Sequence, residues 1–138
     1  MANKSLDSFS QLPLTSTTEE HNIYLFMNQV NDETCKDLIS FIITKNLITP
    51  KPKYLQLIIN SGGGDLNTAF AVIDIMRGSP IPVYTTGLGM VGSAAFAMFI
   101  AGKKGHRILT PNTSILSHLY SLFQLTILLN HPLCPGVF

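Results

Sequence analysis

A mixed α/β fold with mostly parallel strands is predicted by three features of the sequence. Short β-prone apolar runs alternate with segments whose apolar residues recur at helical spacing. Two strand-to-helix junctions are rich in glycine, "SGGG" at 61–64 and "GMVGS" at 89–93. The chain has 138 residues, 46% of them hydrophobic, which is enough for one domain with a substantial core.

Each element follows in order. Residues 1–20 are polar and rich in Ser and Thr, and read as a flexible arm. "NIYLFMNQV" (22–30) is apolar and β-prone, so a strand. Asn31 and Asp32 then offer N-cap oxygens. Cys35, Leu38, Ile39, Ile42 and Ile43 continue at helical spacing for about four turns. "ITPKPK" breaks that helix into a loop. "YLQLIIN" (54–60) is a nearly continuous apolar run, which suits a strand buried on both faces. After "SGGG", Leu66, Ala69, Phe70, Ile73 and Met76 form the core face of a second helix. "IPVYTT" (81–86) is a third strand. Residues 93–102 make a short buried helix closed by Gly102. "HRILT" (106–110) and "SILSHL" (114–119) are two further strands joined by "PNT".

Composition narrows the function. A net charge of +1 gives no electrostatic case for nucleic acid or an anionic membrane surface. Only 12% of residues are charged, an apolar balance that points to surface buried in an assembly. Cys35 and Cys134 are isolated and match no metal spacing or disulfide framework. The start is neither a signal peptide nor an Arg-rich transit peptide. The charge-free segment Gly78–Gly102 is broken by Pro80, Pro82 and glycines and does not read as a membrane span. A cytoplasmic protein without cofactor or metal is the expectation.

The chemistry is concentrated at strand ends. "IINSGGGD" feeds a helix N-terminus, where backbone N–H groups lack intrahelical partners. It lacks a Walker lysine and the G-x-G-x-x-G pattern. A turn needing positive φ and an oxyanion hole both fit it. Ser93 is the lone hydroxyl in "GMVGSAAFAM" and opens a second helix. A serine nucleophile needs a base. His21 and His106 sit in polar surroundings and His131 in the tail, while His118 ends an apolar strand. A structural histidine and a base are both compatible with that place. Spacing alone does not bring Ser93 and His118 together.

From about residue 23 to 118, the ordered segments "IYLFMNQVNDET", "LQLIINSGGGDLNTAFAVIDIMR" and "PVYTTGLGMVGSAAFAMFIAGKKGHRILTPNTSILSH" resemble the Clp protease proteolytic subunit (ClpP) family of serine peptidases. The resemblance implies a ClpP/crotonase-like spiral of β-β-α units, incomplete at the C-terminus. The ClpP-like domain would span residues 21–119, followed by an atypical apolar tail over 120–138. It implies Ser93 as nucleophile, His118 as general base, and the backbone N–H groups of Gly64 and Ala94 as the oxyanion hole. Gly62 stands where the family usually has proline, which would loosen the turn. Val91 and Gly92 replace two small residues before the serine, and Gly92 would make the approach to the nucleophile more flexible. Unfolded polypeptide substrates, self-association into rings and a ring-shaped ATPase unfoldase are the implied partners.

The family's triad aspartate lies well downstream of its histidine, but no Asp or Glu follows Asp74 here. Neither Asp65 nor Asp74 is placed behind His118 by the sequence. Weak or absent peptidase activity is therefore expected, in a truncated, frame-shifted or divergent form. A catalytically silent structural or regulatory subunit is one alternative. A crotonase-type acyl-CoA enzyme, with the same fold and backbone oxyanion holes, is the other.

Overall fold

The computed structural model describes residues 18–118. The arm expected over 1–20 lies outside them except for its last three residues, and so does the whole 120–138 tail, with Leu119, His131 and Cys134.

Among the described residues, five strands and three helices follow in the order β1 (Ile23–Phe26), α1 (Asp32–Leu47), β2 (Leu55–Ser61), α2 (Leu66–Gly78), β3 (Val83–Gly92), α3 (Ser93–Ile100), β4 (Arg107–Leu109) and β5 (Ser114–Leu116). All pairings are parallel, in the order β1-β2-β3-β4, and β5 also pairs with β3. The expected mixed α/β fold with a parallel sheet is thus present.

Two of the helices start where the sequence supplies side-chain caps. Asn31 Oδ1 accepts from the Thr34 N–H at 3.0 Å, and Thr34 Oγ1 faces the Asn31 N–H at 3.4 Å, a reciprocal capping box. Asp65 Oδ1 accepts from the Thr68 N–H at 2.7 Å and caps α2. α1 buries Cys35, Leu38, Phe41 and Ile42. Ile43, expected on that face, is exposed because Phe41 takes up the stripe instead. α2 buries Leu66, Ala69, Val72, Ile73 and Met76, leaving Phe70 half-buried.

β2 corrects one expectation. Its residues alternate buried and half-buried, so it is not covered on both faces. Leu55, Leu57 and Ile59 join the helices in the core, while Gln56, Ile58 and Asn60 point the other way. The sequential strand order is the reason. Right-handed crossovers between successive neighbours all fall on the same side of the sheet. The other side carries Leu25, Ile58, Thr86 and Ile108 in one cross-strand row. It also carries a ladder of rings, with Tyr54 on Tyr84 at 4.6 Å and Tyr84 on His106 at 3.9 Å. His106 is exposed but stacked, not simply solvated.

Strand ends also differ from the sequence reading. β1 stops at Phe26, four residues before the expected end. Val30 returns as an isolated bridge to Gly64, its N–H donating to Gly63 O at 2.9 Å and its carbonyl accepting from the Asp65 N–H at 2.8 Å. β3 runs six residues beyond the expected Thr86, to Gly92. Its first half pairs with β4 and its last three residues with β5, so the two short strands lie end to end along one edge. Between Gly87 and Val91 its register against β2 shifts, and Gly89 there has φ 58°.

Candidate active site

Ser93 stands where β3 turns into α3. Its φ is 51°, the left-handed region that non-glycine residues rarely adopt. Gly92 before it is extended, at φ −119° and ψ 148°. A serine held strained on a strand-to-helix turn has its hydroxyl pushed out of both elements. The first turn of α3 also leaves N–H groups without intrahelical acceptors, and the Ala94 N–H is among them.

β5 delivers the partner. Its pairing places Leu116 opposite Gly92, and two residues later His118 Nε2 lies 2.9 Å from Ser93 Oγ. That distance allows the hydroxyl to donate to an unprotonated Nε2. Of the histidines read from the sequence, the structure thus brings His118 to Ser93. His21 lies at the start of the described residues, and His106 belongs to the ring ladder on the open face.

The glycine turn closes against the same junction. Gly63 has φ 104°, and a Cβ there would fall 2.7 Å from Ser93 Cβ and from Gly92 O, and 3.1 Å from Ala94 N. Gly64 has φ 152°, and a Cβ there would collide with the Val30 carbonyl oxygen. The bridge to Val30 uses Gly63 O and the Asp65 N–H, so the Gly64 N–H between them takes no part in it. The Gly63 N–H donates to Ser61 Oγ at 3.2 Å, which tethers the turn to the end of β2.

Two glycines play parts other than those expected. Gly92 is buried, and a Cβ on it would come 2.8 Å from Gly62 O. It is small so that two backbones can touch, not to loosen the approach. Gly62 is exposed, with an ordinary backbone, and the nearest atom to a Cβ there is Met90 Sδ at 3.9 Å. A residue with a side chain fits at Gly62, and the turn has no need of looseness there. Gly63, in contact with the serine, was not singled out in the sequence. Its signal was the middle place in three consecutive glycines.

A shallow groove of about 610 Å³ runs along Gly62, Gly63 and Gly64 between Met27–Gln29 and Met90. A second hollow of about 720 Å³ lies between α1 and α2 and reaches Cys35. Cys35 is fully buried, and that burial pushes its thiol up from its usual value, which disfavours the thiolate. Asp65 is exposed, and hydrogen bonds from the Thr68 N–H and hydroxyl hold its carboxyl below the ordinary range. Among the described residues, no group of three His, Cys, Asp or Glu could hold a metal ion.

A one-sided parallel α/β layer with a serine and a histidine paired at the strand ends is the class these features define. The Clp protease family model matches residues 7–122, and the chain belongs to that family. It is 34% identical over 95 residues to an ATP-dependent Clp protease proteolytic subunit 2 of Treponema denticola, covering 68% of this chain and 46% of that one. It is 31% identical over 110 residues to a proteolytic subunit 1 of Mycolicibacterium paratuberculosis, covering 80% and 51%. The catalytic domain of a ClpP protease from Plasmodium falciparum superposes with a TM-score of 0.72 at 28% identity, covering 83% of this chain and 62% of that one. The chain spans about half the length of the curated relatives it matches.

Proposed function

We propose that the chain is a serine peptidase subunit that hydrolyses peptide bonds by acyl transfer, with Ser93 as nucleophile and His118 as general base. The 2.9 Å approach of Ser93 Oγ to His118 Nε2, on a strained strand-to-helix turn, carries the reading.

His118 Nε2 takes the Ser93 proton as the oxygen attacks the peptide carbonyl. The carbonyl oxygen becomes an oxyanion and accepts from the N–H groups of Gly64 and Ala94. The His118 imidazolium then gives its proton to the leaving amine, and the C–N bond breaks to leave an ester on Ser93. Water, deprotonated by His118, attacks that ester and releases the acid. Loss of one such backbone donor typically costs about 2.7–4 kcal/mol of transition-state stabilisation. The close fit of Gly63 against Gly92, Ser93 and Ala94 is what keeps the neighbouring Gly64 N–H beside the serine.

The substrates in this reading are unfolded polypeptides, delivered by a ring-shaped ATPase to rings of this subunit in the cytoplasm. Family membership supports these assignments, and the fact that no helix among the described residues is long and apolar enough to cross a membrane agrees with them. A fluorophosphonate probe tests the chemistry. It should label Ser93, fail on Ser93→Ala, and react about 10²–10⁴-fold more slowly with His118→Ala, the usual worth of a general base. An unlabelled but folded and assembled protein would support a silent subunit. Binding of a CoA thioester without labelling would support a crotonase-type enzyme.

A further inference from the structure

Asn60 is the polar residue of "IINSGGGD" that neither the turn nor the oxyanion hole uses. It sits on β2, next to the place where the β2–β3 register breaks. Ile59 pairs with Gly87, but Ser61 pairs with Val91. β2 therefore advances two residues while β3 advances four, and Leu88, Gly89 and Met90 stand opposite Asn60 alone. Each extended residue spans about 3.3 Å, so β3 carries about 6.6 Å of surplus chain that must bulge out. Gly89 takes a left-handed φ of 58° to do so.

The Asn60 side chain fills the space beneath that bulge. Its Oδ1 accepts from the Met90 N–H at 3.1 Å. A Cβ on Gly89 would lie 3.1 Å from Asn60 Oδ1, 3.3 Å from Cγ and 3.4 Å from Nδ2, so the amide faces the place where a Gly89 side chain would project. From Met90 the chain reaches Ser93 through two residues with no slack. Val91 is fully buried, and Gly92 lies against the Gly62 carbonyl. The neighbouring Ser61 hydroxyl meanwhile accepts from the Gly63 N–H. Consecutive residues of β2 thus hold the two halves of the site, Asn60 the serine strand and Ser61 the glycine turn.

We infer that Asn60 is a positioning residue for Ser93, acting through the Met90 N–H to fix how far β3 has advanced when it turns into α3. The inference rests on the reading of Ser93 as a nucleophile held against His118 and the glycine turn. Met90 needs only an acceptor, so an aspartate can replace the asparagine and an alanine cannot. The bulge is exposed, so water can solvate the Met90 N–H when the acceptor is lost. Geometry at Ser93 should then suffer more than global stability.

The test uses the full chain with Asn60→Ala, Asn60→Asp and Gly89→Ala, with two readouts. One is the rate of Ser93 labelling by a fluorophosphonate. The other is the 15N chemical shift of the His118 ring, which reports the bond to Ser93 Oγ without any turnover. Misplacement by about 1 Å can cost about 100-fold in rate. Asn60→Ala and Gly89→Ala should label about 10–100-fold more slowly and shift the His118 signals, on that same scale of misplacement. Asn60→Asp should return both readouts close to wild type, and the Asn60→Ala midpoint of unfolding should barely move. Wild-type labelling and unchanged His118 shifts in Asn60→Ala overturn the inference. If the wild type itself is not labelled, the peptidase reading falls. The His118 shifts then decide the positioning role on their own, their movement in Asn60→Ala supporting it and their constancy overturning it.

Discussion

Three consecutive glycines should respond to the same substitution with opposite signs. At Gly62 an alanine Cβ meets nothing closer than Met90 Sδ at 3.9 Å, and the backbone is one that any residue adopts. Gly62→Ala should therefore stabilise the fold by about 0.4–1 kcal/mol, through reduced freedom of the unfolded chain. At Gly63 the same methyl arrives 2.7 Å from both Gly92 O and Ser93 Cβ, at φ 104°. Positive φ costs about 1–2 kcal/mol and forced overpacking about 1–3, so Gly63→Ala should lose about 2–5 kcal/mol. Gly64→Ala drives its Cβ into the Val30 carbonyl and should lose at least as much. With a urea slope of about 2 kcal/mol/M, the Gly63→Ala midpoint falls by about 1–2.5 M and the Gly62→Ala midpoint rises by about 0.2–0.5 M. Urea titrations followed by circular dichroism measure all three. Labelling of Ser93 should survive in Gly62→Ala and collapse in Gly63→Ala even where the latter is folded. Equal midpoints for Gly62→Ala and Gly63→Ala would refute the account of which glycine touches the serine.

Other substitutions test the supporting structure. Asn31→Ala removes the Oδ1 arm of the α1 capping box, leaves the backbone N–H arm to Thr34 Oγ1, and should cost about 1 kcal/mol in thermal or denaturant unfolding. Thr85→Val deletes the buried bond to Phe99 O at 2.9 Å. The Gly102 N–H still reaches that carbonyl at 3.2 Å, so the loss should stay near 0.5–1.5 kcal/mol, roughly one ordinary hydrogen bond. Asp65→Asn keeps the α2 cap but removes its charge. The Asp65 value is depressed in the folded protein, so its contribution is present above the ordinary 3.8 and is lost as pH falls through the folded value. The thermal advantage of wild type over Asp65→Asn should therefore hold at neutral pH and close below 3.8, and a pH-independent difference would count against it.

Much of this fold was legible because local signals agreed. Asn31 was a cap at the right distance ahead of an apolar stripe, and α1 begins there; Asp65 caps α2 in the same way but was not singled out as a cap in the sequence. The apolar run 54–60 announced a strand but not its surroundings, because Gln56, Ile58 and Asn60 do not reveal that every crossover falls on the other face. β3 was misjudged for a related reason. Leu88, Gly89 and Met90 read as a loop, yet β5 returns to pair with Met90–Gly92 and holds that stretch extended. Pairing across 20 or more residues leaves no local trace. At the site, Ser93 and His118 were visible as residue types in order, but their meeting depends on that same pairing. Gly63 and Asn60 were hidden because their roles are contacts with backbone, which sequence does not display.

β5 is three residues long, and all of them are exposed. The serine is anchored in the core side of the fold, between buried Val91 and Ala94, while its histidine follows a segment with little apolar burial. Such segments open at a small fraction of the free energy needed to unfold a whole domain. Detachment of Ser114–Leu116 from Met90–Gly92 would take His118 away from Ser93 and leave the helices and the first three strands standing. Hydrogen exchange at the β5 amides is then a clock for the site. The fraction of time that the pair is assembled is set by an edge strand, whatever the stability of the core.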